Sequence, residues 1–340
     1  MKAASMASGG RSVYVFSVIP RLARLVQDSL AGVNVIEVEY KGSVEEKYGK
    51  KVCDEEIAAL QDAEILLVDN NLLAQISDKL PKVQWAQGTW AGVEVFYKNS
   101  KLPAFPVSRM ASHTFSQLMA EYTVGWILNH ERGWLEARQN QLQGEWRHTG
   151  NIAYYRCLKE LTVGVLGMGN IGKEVARSLK AFRSEIHAFT RTEPSPEHRS
   201  KDVDKYWHTG ELADFLGHCD YIVNIMPSTP DTRGMLGKDV FKHAKKDAIF
   251  INIGRGDVVS EGDLLKALDA GWLSAAILDV FVEEPLPKDS GLWRHPKVRV
   301  TPHAAAVSRA EDVVEAFLLN YKRLIDGQQV SHVIDWKLGY

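Results

Sequence analysis

Short apolar runs rich in β-branched residues alternate with amphipathic stretches along the whole chain, the pattern expected of parallel strands joined by helices. A first series predicts strands at residues 13–18, 35–38, 65–68 and 83–86, with a helical stretch at 20–29 after the first of them. A second series begins at Thr162 and predicts strands at 162–166, 186–189, 221–226, 248–253, 275–278 and 298–300. Six strands in succession are what a doubly wound sheet requires. Between the two series, Leu118, Met119, Tyr122, Trp126 and Ile127 recur near helical spacing, so residues 115–138 read as one long connecting helix. A further helix at 309–324 follows the last strand and leads the chain back to its first domain.

At 340 residues the chain exceeds what one hydrophobic core usually organises, and two domains are expected. Lys and Arg number 41 against 43 Asp and Glu, a formal charge of -2. No global field recruits nucleic acid or an anionic membrane, so neither is an expected partner, and an acidic ligand must be captured by a local cluster of donors. Cys53, Cys157 and Cys219 show no CxxC spacing and suit reduced thiols in a cytoplasmic setting. Runs such as 222–226 are too short to cross a bilayer. Residues 1–10 are rich in Ala, Ser and Gly, lack the apolar core of a secretory signal, and are expected to stay flexible. No acidic residue precedes Asp28 while Lys2, Arg11, Arg21 and Arg24 do, which gives this end a faint transit-peptide character and leaves a mitochondrial address open.

The stretch Gly164-Val165-Leu166-Gly167-Met168-Gly169-Asn170-Ile171-Gly172 sets a GxGxxG after an apolar strand and before a helical pattern at 173–182. Gly167 permits a tight turn, Gly169 lets backbone approach a pyrophosphate, and Gly172 lets the helix pack close on the strand. Around Met168, Asn170 and Ile171 the helix start offers N–H groups to phosphates. Eighteen residues past Gly172, the second strand ends at Thr190-Arg191-Thr192, where an NAD-type site carries Asp or Glu. A carboxylate there would repel a 2′-phosphate, whereas the Thr hydroxyls and the Arg191 guanidinium can donate to it. The expected cofactor is therefore NADP, with NADPH preferred over NADH. The alternative is that Arg191 is a solvated strand-end residue.

Three further segments leave strands of the second series, at the carboxyl ends where ligands of such sheets bind. They are Ile253-Gly254-Arg255-Gly256, Asp279-Val280-Phe281-Val282-Glu283-Glu284-Pro285 and Thr301-Pro302-His303-Ala304-Ala305. Taken in order with the glycine turn, these motifs resemble the D-isomer-specific 2-hydroxyacid dehydrogenases, in particular their glyoxylate and hydroxypyruvate reductase members, over nearly the whole chain. Met119-Ala120-Glu121-Tyr122 and the stretch from Pro227 to Gly234 are similar to that family as well, the latter to its loop beside the adenosine half. The resemblance implies an α/β fold of two doubly wound parallel-sheet domains. An NADP-binding Rossmann domain at 116–309 would be inserted into a flavodoxin-like substrate-binding domain made of 1–115 and 310–340, with a homodimer formed through the insert.

By the same resemblance Arg255, Glu284 and His303 are the catalytic residues, and Met226, Pro227, Thr232, Ile253, Gly254 and Ala305 join the cofactor site. The segment from Gln87 to Val93 resembles the family loop whose amides hold the substrate carboxylate, here through Trp90, Ala91 and Gly92. Trp90 is larger than the residues often seen there and either shapes the pocket or packs on a wall. Arg109 and Trp146 are read first as packing residues and only second as pocket residues. Asp279 lies near the nicotinamide end or is a buried carboxylate satisfied by backbone amides.

The residue types suit the chemistry. Reduction of a 2-oxo acid needs a hydride at the carbonyl carbon, a proton at its oxygen and a hold on the carboxylate. Arg255 can clamp carboxylate and carbonyl oxygens together. His303 is the proton donor, and a carboxylate from Glu284 favours the imidazolium and fixes the ring. The expected activity is reduction of glyoxylate, hydroxypyruvate or related small 2-oxo acids to D-2-hydroxy acids. A second reading is a dinucleotide-sensing corepressor of the same fold, although the peptide-binding surface and long tails of such proteins are not recognisable here.

Overall fold

The computed structural model describes residues 12–42, 51–98 and 101–339. The flexible or targeting character expected of residues 1–10 lies outside the described residues. Packing divides the chain into Met1–Ser112 with Ser308–Tyr340, and His113–Val307. Both junctions fall slightly earlier than the 115/116 and 309/310 boundaries expected from the sequence.

In the first unit, β1 (Val13–Phe16), β2 (Val35–Glu37), β3 (Ile65–Val68), β4 (Trp85–Gly88) and β5 (Val107–Ser108) form a parallel sheet in the order β2-β1-β3-β4-β5. That is the flavodoxin-like order. The fourth strand starts at Trp85 rather than at residue 83, because the Trp85 indole donates to buried Ser108 at 3.1 Å and stacks on Phe317, which draws this segment into the sheet. β5 has only two residues, too few for any period to be read. The returning helix Ala310–Ile325 supplies Phe317 and also Asn320, whose amide donates to the buried Gln87 side chain at 2.9 Å.

The second unit holds β6 (Thr162–Leu166), β7 (Glu185–Thr190), β8 (Lys205–His208), β9 (Tyr221–Asn224), β10 (Ile249–Asn252), β11 (Ala275–Leu278) and β12 (Val298–Val300). All pair in parallel, in the order β12-β11-β10-β9-β6-β7-β8. The central strands are buried on both faces, which explains their unbroken apolar runs. Tyr221, Val223, Ile249, Ile251 and Ile277 share one core with Ile127 and with Val175 and Leu179 of the helix Asn170–Lys180, while Ile222, Phe250 and Leu278 share another with Phe215 and Leu264. Winding runs outward in both directions from the β6–β9 junction, the switch point at which such sheets bind ligands.

Two expectations need correction. Among the described residues this sheet has seven strands, not six: the edge strand β8 was missed because only Trp207 of its residues is buried, leaving no apolar run. Nor is the connecting helix continuous. It spans His113–Glu131, breaks at Gly133 with φ +60°, and restarts as Trp134–Leu142. Beyond the break Trp134, Leu135 and Leu142 are exposed, so they do not extend the packed stripe of the first helix. No helix among the described residues is long and apolar enough to cross a membrane.

Candidate active site

The turn after β6 has the geometry a pyrophosphate needs. Gly167 sits at φ +102°, a conformation closed to most side chains, and a Cβ on Gly172 would lie 2.0 Å from the Gly167 carbonyl oxygen. The helix Asn170–Lys180 thus starts pressed against the strand. Gly169 faces open space and no side chain caps this helix, so the N–H groups of its first turn are left for a ligand. Met168 and Ile171 lean on the core below, and Asn170 is exposed.

At the end of β7 the Thr190 hydroxyl donates to the Thr192 carbonyl at 2.9 Å. Its single proton closes this turn, with the Trp207 carbonyl 3.5 Å away. Beside it Arg191 is exposed and its guanidinium has no partner among the described residues. The Arg191 carbonyl accepts from Thr209 at 2.9 Å, which ties this turn to the end of β8.

Along the other half of the sheet, β10, β11 and β12 are successive neighbours, with Asn252 opposite Leu278 and Leu278 opposite Val300. Their following loops therefore emerge on one rim. Buried Asn252 organises the first of them: its amide donates to the Arg255 carbonyl at 3.0 Å, and its oxygen accepts from Gly254 N–H at 3.2 Å and from Asn224 at 2.9 Å. Sequence reasoning missed this pair of asparagines, although an amide side chain at the end of each of two otherwise apolar strands is a readable signal. Half-buried Arg255 donates through Nη1 to the Gly254 carbonyl at 2.6 Å.

Glu284 and His303 meet directly. Glu284 Oε2 lies 2.7 Å from His303 Nδ1, and its Oε1 accepts the Phe281 amide at 2.9 Å. Burial pushes the Glu284 carboxyl up, but the hydrogen bond and charge of His303, the Phe281 amide and the positive charge of Arg255 outweigh it and hold the group below the usual carboxylate range. Arg255 is thus close enough for its charge to be felt at the pair. With Nδ1 on Glu284, Nε2 of His303 makes no hydrogen bond among the described residues.

His303 adopts φ +53°, a left-handed conformation that costs a non-glycine residue about 1–2 kcal/mol. Asp279 holds it there. The Asp279 carboxylate, 1% exposed, accepts the amides of Ala304 at 2.8 Å and Ala305 at 2.9 Å, and its carbonyl accepts the His303 amide at 2.9 Å. The Asp279 carboxylate is thus buried and satisfied by backbone amides at the end of β11, on the rim of the sheet. Met226, Ile253, Gly254 and Ala305 are likewise buried, and the Thr232 hydroxyl is used inside its own loop, on the Pro227 carbonyl at 2.6 Å and the Thr229 amide at 2.9 Å.

In the first unit the loop after β4 is pinned by buried Asn70, which donates to the carbonyls of Trp90 at 3.3 Å and Gly92 at 2.7 Å. Among the described residues the amides of Ala91 and Gly92 donate to nothing, which leaves two adjacent donors suited to a carboxylate. Trp90 is half-buried. Asn70 carried no recognisable motif and was missed.

Residues 124–305 match the family described as D-isomer specific 2-hydroxyacid dehydrogenase, NAD binding domain. A glyoxylate/hydroxypyruvate reductase A from Serratia proteamaculans (strain 568) is 36% identical over 256 residues, covering 74% of this chain and 79% of that protein. The chain belongs to the D-isomer specific 2-hydroxyacid dehydrogenase family. Among solved structures, a D-isomer specific 2-hydroxyacid dehydrogenase family protein from Aeromonas salmonicida subsp. salmonicida A449 is similar over 96% of this chain and 99% of its own, at 31% identity and TM-score 0.84. The NADPH-dependent glyoxylate/hydroxypyruvate reductase from Sinorhizobium meliloti, solved with NADP and sulfate, is similar over 97% of this chain and 100% of its own, at 27% identity and TM-score 0.80. In this dehydrogenase the Rossmann turn, the Arg255 loop and the Glu284–His303 pair all lie within the span matched by the NAD binding domain.

Proposed function

We propose that the protein is an NADPH-dependent reductase of small 2-oxo acids of the glyoxylate and hydroxypyruvate class, yielding D-2-hydroxy acids. The observation that carries this reading is the 2.7 Å contact between His303 and Glu284, within the field of Arg255 on the carboxyl rim of the sheet. Open Gly169, the uncapped helix start and unpaired Arg191 fit a dinucleotide that carries a 2′-phosphate. Bound there, the cofactor supplies the hydride. Arg255 fixes carboxylate and carbonyl oxygens in one orientation and polarises the bond. His303 Nε2 delivers the proton to the carbonyl oxygen, Glu284 stabilises the ring while it carries that proton, and solvent returns the proton afterwards. The Ala91 and Gly92 amides offer donors of the kind an acidic substrate takes.

The testing experiment is a steady-state survey of glyoxylate, hydroxypyruvate and phenylpyruvate with NADPH and with NADH. NADPH-dependent turnover of the first two is expected. No turnover across the panel would favour the corepressor-like binding protein, and a clear NADH preference would refute the cofactor assignment. Arg191→Ala is expected to lower kcat/KM for NADPH by roughly 10- to 100-fold, the worth of a charge-assisted contact. Its value for NADH should stay near that of the wild type.

A homodimer through the second unit is part of the same proposal. Trp134, Leu142, Trp146 and Tyr154 are exposed there, and a second copy would cover them. Trp146, expected first to pack, is fully exposed. The double variant Leu142→Glu/Trp146→Ser is expected to sediment as a single chain where the wild type sediments as a pair, and an unchanged mass would place the interface elsewhere. A cytoplasmic location accords with three free cysteines, Cys53, Cys157 and Cys219.

A further inference from the structure

The loop that carries His303 is strained at that residue, yet its hydrogen-bonding groups converge on a single residue, Asp279. The Thr301 hydroxyl donates to Asp279 Oδ1 at 2.5 Å, the Ala304 and Ala305 amides reach the same carboxylate, and the His303 amide reaches the Asp279 carbonyl. One contact extends this arrangement to another element. Tyr122, on the helix His113–Glu131, places its hydroxyl 2.6 Å from Thr301 Oγ1.

The direction of that bond follows from counting protons. A threonine hydroxyl has one, and Thr301 gives it to the Asp279 carboxylate, so Tyr122 must be the donor to Thr301. Burial, together with the nearby Asp279 charge and against the Thr301 hydrogen bond, pushes the Tyr122 phenol up to about 12, so it keeps its proton wherever the protein is folded and working. Trp126 packs edge-on against the Tyr122 ring at 6.2 Å between centroids and holds it in place. The result is an ordered chain from Tyr122 through Thr301 to Asp279, in which each bond polarises the next.

We propose that Tyr122, acting through Thr301 and Asp279, is a positioning residue that holds His303 in the left-handed conformation from which its ring meets Glu284. This rests on the reading of His303 as proton donor. Tyr122 touches neither of the reacting partners assigned above. Without its donated hydrogen bond the half-buried Thr301 oxygen loses a partner, the grip on Asp279 loosens, and the strained residue two positions on is free to relax. A loss of alignment of this kind slows proton delivery more than it weakens binding.

The test compares Tyr122→Phe, Thr301→Val, Thr301→Ser and the Tyr122→Phe/Thr301→Val double variant, with His303→Ala in parallel, using NADPH and glyoxylate. Tyr122→Phe and Thr301→Val are each expected to lower kcat about tenfold, with KM and the NADPH dissociation constant within about twofold of wild type. The limb of the kcat profile that falls as pH rises should move to lower pH, as the ring is drawn away from the Glu284 carboxylate. Thr301→Ser should retain wild-type rates, and the double variant should be no slower than the worse single, since all act on one chain. Wild-type kcat and pH profile in both single variants would overturn the inference, as would a multiplicative double variant or a loss confined to NADPH binding. If Tyr122→Phe fails to fold, the valine and serine variants of Thr301 decide by the same criteria. Turnover surviving in His303→Ala would sink the proton-donor reading itself; an inactive His303→Ala beside a wild-type-like Tyr122→Phe would sink only the positioning role.

Discussion

His303→Ala is expected to lower kcat for 2-oxo acid reduction by about 10²- to 10⁴-fold, the usual worth of a positioned general acid, while NADPH still binds. The ring sits on the rim and not on the phosphate turn, so most of the cofactor's binding is expected to survive its removal. Fluorescence titration of NADPH separates the two effects, and near-normal kcat would remove His303 from the chemistry. Glu284→Gln tests the partner. The Glu284 carboxyl is held below its ordinary value, so it is anionic through the working range, and that charge is lost only as pH falls through the depressed value. Glutamine keeps a hydrogen bond and removes the negative charge that faces the ring. The limb of the rate profile that falls with rising pH should therefore move to lower pH, and an unmoved limb would show that Glu284 does not tune the acid.

Arg255→Ala is expected to lower kcat/KM for glyoxylate by roughly 10³-fold, the worth of the two charge-assisted hydrogen bonds proposed between it and the substrate. Arg255→Lys should recover only part of this, because an ammonium cannot reproduce the planar fork that spans two oxygens. The Arg255 backbone is fixed by Asn252 independently of its side chain, so the fold should persist in both variants. Steady-state kinetics with thermal melts checks this: a full rescue by lysine would argue for simple charge attraction in place of bidentate orientation.

Much of the site was legible because its elements are local. A glycine at φ +102° and another with no room for a Cβ leave their mark in six consecutive residues, and the strands before the Arg255, Glu284 and His303 loops announce themselves as apolar runs. Parallel strands in chain order then bring those loops to one rim without any long-range calculation. The misses share a cause as well. β8 has a single buried residue and β5 only two residues, so neither carries a period. The break at Gly133 falls where helical spacing of apolar residues continues on paper while those residues face water.

Residue order indicated the two series of strands, the return of the last helix and the phosphate turn, because periodicity and turn chemistry are properties of neighbours in the chain, while the roles expected of Arg255, Glu284 and His303 came from the family resemblance. Packing was needed to learn that Asp279 faces into the His303 loop, that the Thr190 hydroxyl donates to the Thr192 carbonyl, and that Tyr122 reaches a residue 179 positions away. A hydrogen bond depends on which partner comes within about 3 Å, and that distance exists only once the chain has folded.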